Sequence, residues 1–586
     1  MKKRIILVVF FMVFVFFSQQ ANAGEINIPK DVSENDWAYG SIITSIKANW
    51  MELSPDSNFY PNKEMKRSEM IETLAKFSNA LIDFSSEEQE INGKFMDVNY
   101  KNDSFAASLY WAEKKKIVNG ANDSTFKPNS ILTRAQMIVF LDNYIKSQNF
   151  QLPDINHGEI NFQDRNEIPS YAIQSVERLY KVGVISSSNS NFNPNDNCTR
   201  KMCASFLDKL QKSIKNCTAF RFTDQSEPIP SISNIKHEGE YSKKTKNRLV
   251  LQSYLDNTSR KTDVNIEMDN ITFDDTIYVP SNTKINFSKN TEIRTLGEKN
   301  FPIFVFADKE RIKESKYEKY EGVSDIEFIG AESSPPTINN MGNKNVVFEM
   351  GHASNVSIQQ IRLTNMYGNT HFIELAASKD IKIIGCSFVS HTIGTKAGKE
   401  AINLDVPDKN TEGFPGKYSS QDNTPNINIL IQANIFENLP SAIGTHMFTP
   451  DSPHANIVVR DNYIKNCTSH GIGIYNWISP IIINNHIENI GNPDDKNNPG
   501  MGIKINGVID PKIRDNVFIK MNYTIRISPA EYSKNVSNPV LSTYRKINNE
   551  IDLEQRMEMI NGMYILEVRY PRIMIRESIY DEYKNF

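Results

Sequence analysis

Cysteine is scarce in this chain, with five among 586 residues. That is too few for a disulfide framework at this length. Cys198, Cys203 and Cys217 stand near one another, and Cys386 and Cys467 lie far beyond. A Cys198–Cys217 bridge and buried free thiols both remain open. No Cys/His spacing suits a zinc site. Basic excess is missing as well: the formal charge is −4, which argues against nucleic acid as a partner. Beyond the first 23 residues no apolar run approaches the length of a membrane span. Asn-Gly and Asp-Gly pairs are few where a β-sandwich would need hairpin turns, so that fold is the runner-up for the C-terminal part.

What is present begins at the N-terminus. Met1-Lys2-Lys3-Arg4, the apolar run Ile5–Phe17 and Ala21-Asn22-Ala23 form a positive head, an apolar core and a small-x-small cleavage site. Residues 1–23 therefore read as a secretory signal peptide. Its removal takes away three basic residues and no acids, moving the charge from −4 to −7. The expected destination is the outside of the cell.

Three copies of one pattern follow. Phe59-x-Pro61, Phe126-x-Pro128 and Phe192-x-Pro194 are spaced 67 and 66 residues apart, and so are Arg67, Arg134 and Arg200. Asp31, Asp97 and Asp164 open the units. A period shared by three landmarks is a tandem repeat. Each unit reads as an aromatic-Ala helix beginning at Trp37, Phe105 or Tyr171, then the Phe-x-Pro loop, then a second helix at the arginine.

These residues resemble S-layer homology modules, over 28–85, 93–150 and 160–217. The family's Thr-Arg-Ala-Glu phrase stands here as Lys66-Arg67-Ser68-Glu69, Thr133-Arg134-Ala135-Gln136 and Thr199-Arg200-Lys201-Met202, so the acid is lost from the second and third copies. The resemblance implies helical modules that bind a secondary cell-wall polysaccharide carrying ketal-linked pyruvate, and hence a place at the cell wall or S-layer of a Gram-positive bacterium. A guanidinium fork matches the ketal carboxylate. Arg67, Arg134, Arg200, Gly120 and Trp37 are the candidate glycan-binding residues. The bland alternative is that the arginines only cap or bridge helices within a module.

Residues 218–247 are polar, Pro-bearing and aperiodic, and read as a linker. From 248 to 545 the texture changes to short runs of Ile, Val and Phe punctuated by Asn, Asp and Gly. Asn355-Val356-Ser357-Ile358, Asn426-Ile427-Asn428-Ile429 and Asn456-Ile457-Val458-Val459 share one phrase. Asparagine at a fixed turn position can turn left-handed and bond its copy one coil away. Short strands without intervening helices indicate a solenoid of parallel β coils. This part resembles the right-handed parallel β-helix of the pectate-lyase-like superfamily. The chain is thus expected to be multidomain: three helical repeats, then an all-β right-handed parallel β-helix. Arg248–Leu255 is placed as a helix over the open end, and 546–586 as the cap at the other.

A second strand repeats in Ile373-Glu374-Leu375-Ala376, Ile402-Asn403-Leu404-Asp405, Ile443-Gly444-Thr445-His446, Ile472-Gly473-Ile474-Tyr475 and Met501-Gly502-Ile503-Lys504. Alternation turns the aliphatic residues inward. Two outward files result: Glu374, Asn403, Gly444, Gly473, Gly502, and Ala376, Asp405, His446, Tyr475, Lys504. The glycines would leave a trough for a sugar ring. Asp405, His446, Glu400, Tyr475 and Lys504 are the catalytic candidates, with Glu374 and His371 behind them. Asn403, Tyr418, Asp422, Phe448, His454 and Trp477, several on the excursions 406–425 and 447–455, are the substrate-binding candidates. His352, His391, His470 and His486 are read as structural.

Two chemistries suit such groups. Hydrolysis by paired carboxylates would draw on Glu400, Asp405 and Asp422. A lyase would pair Lys504 or Lys417 with His446 or Tyr475 as base. The dense Asp and Arg signatures of the well-known pectate lyases and polygalacturonases are absent. No metal site is assigned, although Asp405, Asp422 and Asp451 offer oxygen ligands of the kind calcium takes. The expected function is a secreted, wall-anchored protein that binds and cleaves a polysaccharide. The alternative is a non-catalytic surface protein or adhesin with a glycan-binding β-helix.

Overall fold

The computed structural model describes residues 28–78, 80, 94–100, 103–119, 124–148, 150, 152–156, 160–186, 191–217, 219–228, 245–256, 262–288, 290–297, 299–392, 399–409, 411, 413–445, 447–449, 451–492, 499–528, 530–532, 545–547 and 565–568. The signal-peptide segment, Gly120 and His446 lie outside the described residues.

The N-terminal repeats form three helix pairs: α1 (Tyr39–Lys47) with α2 (Arg67–Phe77), α3 (Ala106–Lys114) with α4 (Arg134–Gln148), and α5 (Ile173–Lys181) with α6 (Arg200–Lys215). Each second helix packs on the first helix of the next repeat, α2 on α3, α4 on α5 and α6 on α1. The three units therefore close into a ring. At its centre Leu132 N–H donates to the Met65 carbonyl (2.9 Å), Cys198 N–H to that of Leu132 (2.8 Å) and Met65 N–H to that of Cys198 (2.8 Å).

The repeated aspartates explain the loops. Asp31 accepts from the amides of Phe59 and Tyr60, Asp97 from Phe126 and Lys127, and Asp164 from Phe192 and Asn193, at 2.6–2.7 Å. The middle residues Tyr60, Lys127 and Asn193 have φ of 54°, 58° and 54°, a left-handed conformation unfavourable for a side chain and disfavoured before proline. A carboxylate that satisfies two amides holds each loop in it. The family phrase also has a local cause. Glu69 accepts from Lys66 N–H (3.0 Å) and Gln136 from Thr133 N–H (3.3 Å), whereas Met202 offers no acceptor.

The reading of 218–247 as a linker needs correction at both ends. Ala219–Phe222 is the first strand of the β domain, paired in parallel with Thr262–Ile266. Its alternation sends Phe220 and Phe222 inward. Helix α7 (Lys246–Asp256) covers that end of the coil with Val250, Leu251, Tyr254 and Leu255. Phe220 stacks on Tyr254 (4.6 Å) and meets Phe150 of the helical ring (6.5 Å), so one apolar core runs through both parts. Lys115 and Glu227 form a buried ion pair across the junction at 3.1 Å, and Glu227 N–H donates to Gln148 (3.1 Å).

The β domain is a parallel β-helix. Successive coils each give one strand to three parallel sheets of 11, 10 and 9 strands. Ile565–Val568, expected within the cap, instead extends the second sheet beside Tyr523–Ser528. The asparagines do two jobs. Asn428 and Asn456, with φ of 57° and 52°, bond the copy one coil back, Asn428 to Asp380 (2.8 Å) and Asn456 to Asn428 (2.6 Å). A second file, Asn434, Asn462, Asn485 and Asn516, stacks at an inner corner, its amides linked at 2.9–3.0 Å. It satisfies backbone groups that water does not reach.

Candidate functional site

The second sheet carries the expected ladder for four coils. Ile373, Ile402, Ile443 and Ile472 are in register, as are Glu374, Asn403, Gly444 and Gly473. The fifth coil is displaced by two residues: Ile472 pairs with Ile503 and Gly473 with Lys504. Met501 and Ile503 have the same parity, so a two-residue slip leaves the core apolar and alternation cannot detect it. Lys504 nevertheless reaches Tyr475, with Nζ 2.7 Å from the hydroxyl.

The glycine trough is corrected. A Cβ on Gly444 would meet the Gly473 carbonyl at 2.3 Å, and one on Gly473 the His470 ring at 2.6 Å. Gly502 faces the Phe518 ring. These glycines admit neighbouring protein atoms, so no sugar ring reaches their backbone.

Asp405 stands outward beside Ala376 as expected, yet it is fully buried beneath the excursion that follows it, with Gly413 directly overhead. Asn403 bridges Glu374 (2.8 Å) and Asp405 (3.0 Å), and the Met447 amide donates to Asp405 (3.3 Å). Glu400 is buried between two imidazoles, 3.5 Å from His470 and 4.0 Å from His371. Phe448, His454 and Trp477 are buried and framework rather than contact residues. His454 accepts from Asn426 N–H (2.9 Å), and burial pushes its pKa down to about 3. Trp477 donates to Thr445 (2.8 Å). Asp422 is exposed and fixes its own loop, taking the amides of Lys319 (2.6 Å) and Thr424 (3.1 Å). Asp405 and Asp422 thus spend their oxygens on the protein, and among the described residues no group of three acids, histidines or cysteines converges as a metal site. The described cysteines are free and buried.

The open cleft lies one to two coils earlier than the ladder's centre. It holds about 700 Å³ between the second sheet and the loop 413–418, and Glu349, His371 and Glu374 lie on its floor. Tyr278 and Tyr418 wall it, and Lys344, Lys399 and Lys417 stand at its edge. Tyr418, expected to stack on sugar, is largely buried and packs edge-on against Phe414. The loop is pinned from below, where His352 bonds the Lys319 carbonyl (2.6 Å) and Ser419 (2.7 Å).

Glu349 pairs in register with Glu374 on the next coil. Burial disfavours the charged carboxylate and pushes Glu349 up to about 7, against a weaker opposing bond from Tyr418. Burial, then repulsion from Asp405, pushes Glu374 well above the carboxylate range. His371 Nε2 lies 3.6 Å from Glu374, and its Nδ1 meets the Glu400 carbonyl at 2.5 Å. Sequence reasoning had Glu374 and His371 in view but missed Glu349. Its neighbours Phe348 and Met350 spell ordinary alternation, and nothing local announces the loop that arrives from residue 413.

In the ring, Arg67, Arg134 and Arg200 bridge between modules instead of within one. Their Nε atoms donate to the carbonyls of Phe126, Phe192 and Phe59, each at 2.8 Å. The third arginine thus returns to the first loop. Trp37 is exposed at the surface with Lys201 Nζ 5.8 Å from its ring.

Residues 30–71, 100–138 and 161–201 match the S-layer homology domain. Exoglucanase XynX of Acetivibrio thermocellus is 27% identical over 188 residues, 32% of this chain and 16% of that protein. An amylopullulanase of Thermoanaerobacterium thermosulfurigenes is 26% identical over 201 residues, 34% of this chain and 10% of that protein. The chain therefore spans only a small part of these curated relatives. The solved surface protein and adhesin PfbA of Streptococcus pneumoniae is 19% identical, with a TM-score of 0.39 over 45% of this chain and 72% of that one. Among the described residues no helix is long and apolar enough to cross a membrane. The chain carries three S-layer homology repeats, which mark a cell-surface protein, followed by a parallel β-helix.

Proposed function

We propose that the helical ring holds a secondary cell-wall polysaccharide and that the β-helix hydrolyses a polysaccharide in the cleft over Glu349 and Glu374. The observation that carries this reading is the pair itself: two buried glutamates in register on adjacent coils, at the floor of an open cleft. A general acid works best with a pKa near the working pH, and Glu349 at about 7 meets that condition. Glu374 is the partner. Glu374 must lose its proton before it can act as a carboxylate; His371, 3.6 Å away, is the group placed to receive it, and Asn403 donates to the Glu374 oxygen (2.8 Å).

Adjacent strands stand about 4.8 Å apart, closer to the ~5 Å of a double-displacement pair than to the wider ~6.5–9.5 Å of an inverting one. In the proposed course Glu349 protonates the glycosidic oxygen as the bond to C1 breaks. The Glu374 carboxylate bonds C1 and the first sugar leaves. Glu349, now a carboxylate, takes a proton from water as its oxygen attacks C1, which frees Glu374. The anomeric configuration is retained. The lysines at the edge keep a lyase reading alive, with a cation facing a uronate carboxylate and Glu374 or His371 as base.

The test is turnover by the full secreted chain on wall-derived and uronate glycans. Hydrolysis gives new reducing ends without unsaturated sugars. Glu374→Gln should lower kcat by about 1,000-fold or more and Glu349→Gln by about 100-fold, with glycan binding kept. No turnover by the wild type on any of these polymers would leave a binding protein.

A further inference from the structure

Glu400 is a buried carboxylate that the proposed chemistry leaves unused, and two glycines are given over to seating it and its neighbour. Glu400, Ser441 and His470 stand in register on successive coils of the second sheet. The same register sets His371 beside Glu400, each two residues ahead of the paired Ile373 and Ile402. All four are buried. A Cβ on Gly444 would come 3.2 Å from Glu400 Cγ, and one on Gly473 2.6 Å from His470 Nε2. The room those glycines leave is where this acid and this ring lie. A carboxylate taken out of water is costly unless charge or hydrogen bonds meet it.

What meets this one is imidazole on both sides. Glu400 Oε1 lies 3.5 Å from His470 Nε2, and His470 Nδ1 is 3.2 Å from both the Ser441 and the Ser469 hydroxyls. On the other side Oε2 lies 4.0 Å from His371 Nδ1, whose closer partner is the Glu400 carbonyl at 2.5 Å. A carbonyl only accepts, so Nδ1 carries the hydrogen and the Nε2 lone pair is left facing Glu374 at 3.6 Å. One residue thus meets His371 twice, with a backbone group that sets the tautomer and a side chain that can carry the countercharge. The other charged or titratable groups around the ring are Glu374 and Glu349 on the cleft floor, Asp405 beyond Glu374, and Lys344, Lys399 and Lys417 at the edge.

We propose that Glu400 is a positioning residue of this site: its carbonyl orients His371, and its carboxylate holds the imidazolium that forms when His371 takes the Glu374 proton. His470 steadies Glu400 from the far side. The proton passes from the Glu374 oxygen to His371 Nε2, while Nδ1 keeps its own. Two neutral groups become a carboxylate and an imidazolium, and the Glu400 charge lowers the cost of that cation in a buried place. This rests on the hydrolytic reading above and adds to it the group that makes a buried Glu374 available as a carboxylate.

The test is the titration of His371 in the full secreted chain, labelled on its histidines for nitrogen NMR and assigned by the signals lost in His371→Gln. In the wild type the neutral ring should carry its hydrogen on Nδ1. Glu400→Gln keeps the backbone bond and the size but removes the charge, and should move the His371 midpoint down by about one pH unit. Glu400→Asp keeps the charge and should stay near the wild type. On a polymer that the wild type hydrolyses, Glu400→Gln should lower kcat about tenfold and move the acid limb of the pH profile down with the midpoint, a displacement that lost packing alone does not cause. A neutral ring protonated on Nε2, or an unmoved midpoint in Glu400→Gln, would overturn the inference. A midpoint that moves as expected in a chain that turns over no polymer would leave Glu400 holding His371 and remove the hydrolytic reading instead.

Discussion

The two halves of this molecule are both repeats, but one is closed and the other open. In the ring, each arginine holds the loop of the next unit and the third returns to the first. In the coil, a strand answers only to the strands above and below it. Closure makes every position accountable to two others at a known spacing. In an open stack the register of each coil is set only by its neighbour, so a pairing read from alternation can be off by two residues, as at the fifth coil of the second sheet.

That contrast can be broken deliberately. The largest loss is expected from Asn462→Leu in the buried file. It abandons the backbone and side-chain amides of Asn434 and the Ile431 and Asn485 carbonyl-type acceptors at once, and should cost about 4 kcal/mol. Hydrogen exchange should show the damage confined to neighbouring coils, and spread into the ring would refute the open-stack description.

Glu349→Gln sharpens the same point through pH. The carboxyl is raised from 4.5 to about 7 in the fold, so the native state binds the proton more tightly than the unfolded chain. Its contribution is present below pH 4.5 and is lost as pH rises through about 7, a swing of about 3 kcal/mol. Thermal melts of the variant should lose that part of the slope, leaving the share owed to Glu374, and should be more stable than the wild type at pH 8. A slope equal to that of the wild type would place the responsible group elsewhere.

Asp97→Asn should have the smallest effect, about 2 kcal/mol, by weakening two charge-assisted bonds to one loop. Because Arg67 grips that loop from the preceding repeat, the melting transition should fall for the whole ring. A loss restricted to the second repeat would mean the ring is not cooperative.

The ring was legible because its landmarks recur at one period. Asp31, Asp97 and Asp164 each serve a loop about 28 residues away, and Arg67, Arg134 and Arg200 each serve a loop about 60 or more away, so the same demand wrote the same residue three times. What sequence could not supply was direction: that Arg67 reaches forward to Phe126 is a fact about packing. In the coil, Ile373, Ile402, Ile443 and Ile472 were legible from alternation, and Lys504 was misplaced because parity survives a two-residue slip. The buried state of Asp405 and Tyr418 was hidden for a different reason. It depends on a loop folding back over the sheet, and such contacts leave no periodic trace.

The direct seam between ring and coil has a geographical consequence. Ala219–Phe222 starts the stack four residues after α6 ends, and the shared core gives the two parts no tether to swing on. Glu349 and Glu374 lie on the third and fourth strands of their sheet counted from that seam, roughly 15 Å along the coil. On the proposed reading, in which the ring holds the wall, a polymer in the cleft would lie within a few nanometres of that attachment, and the reach of the site would be the cell's outermost layer.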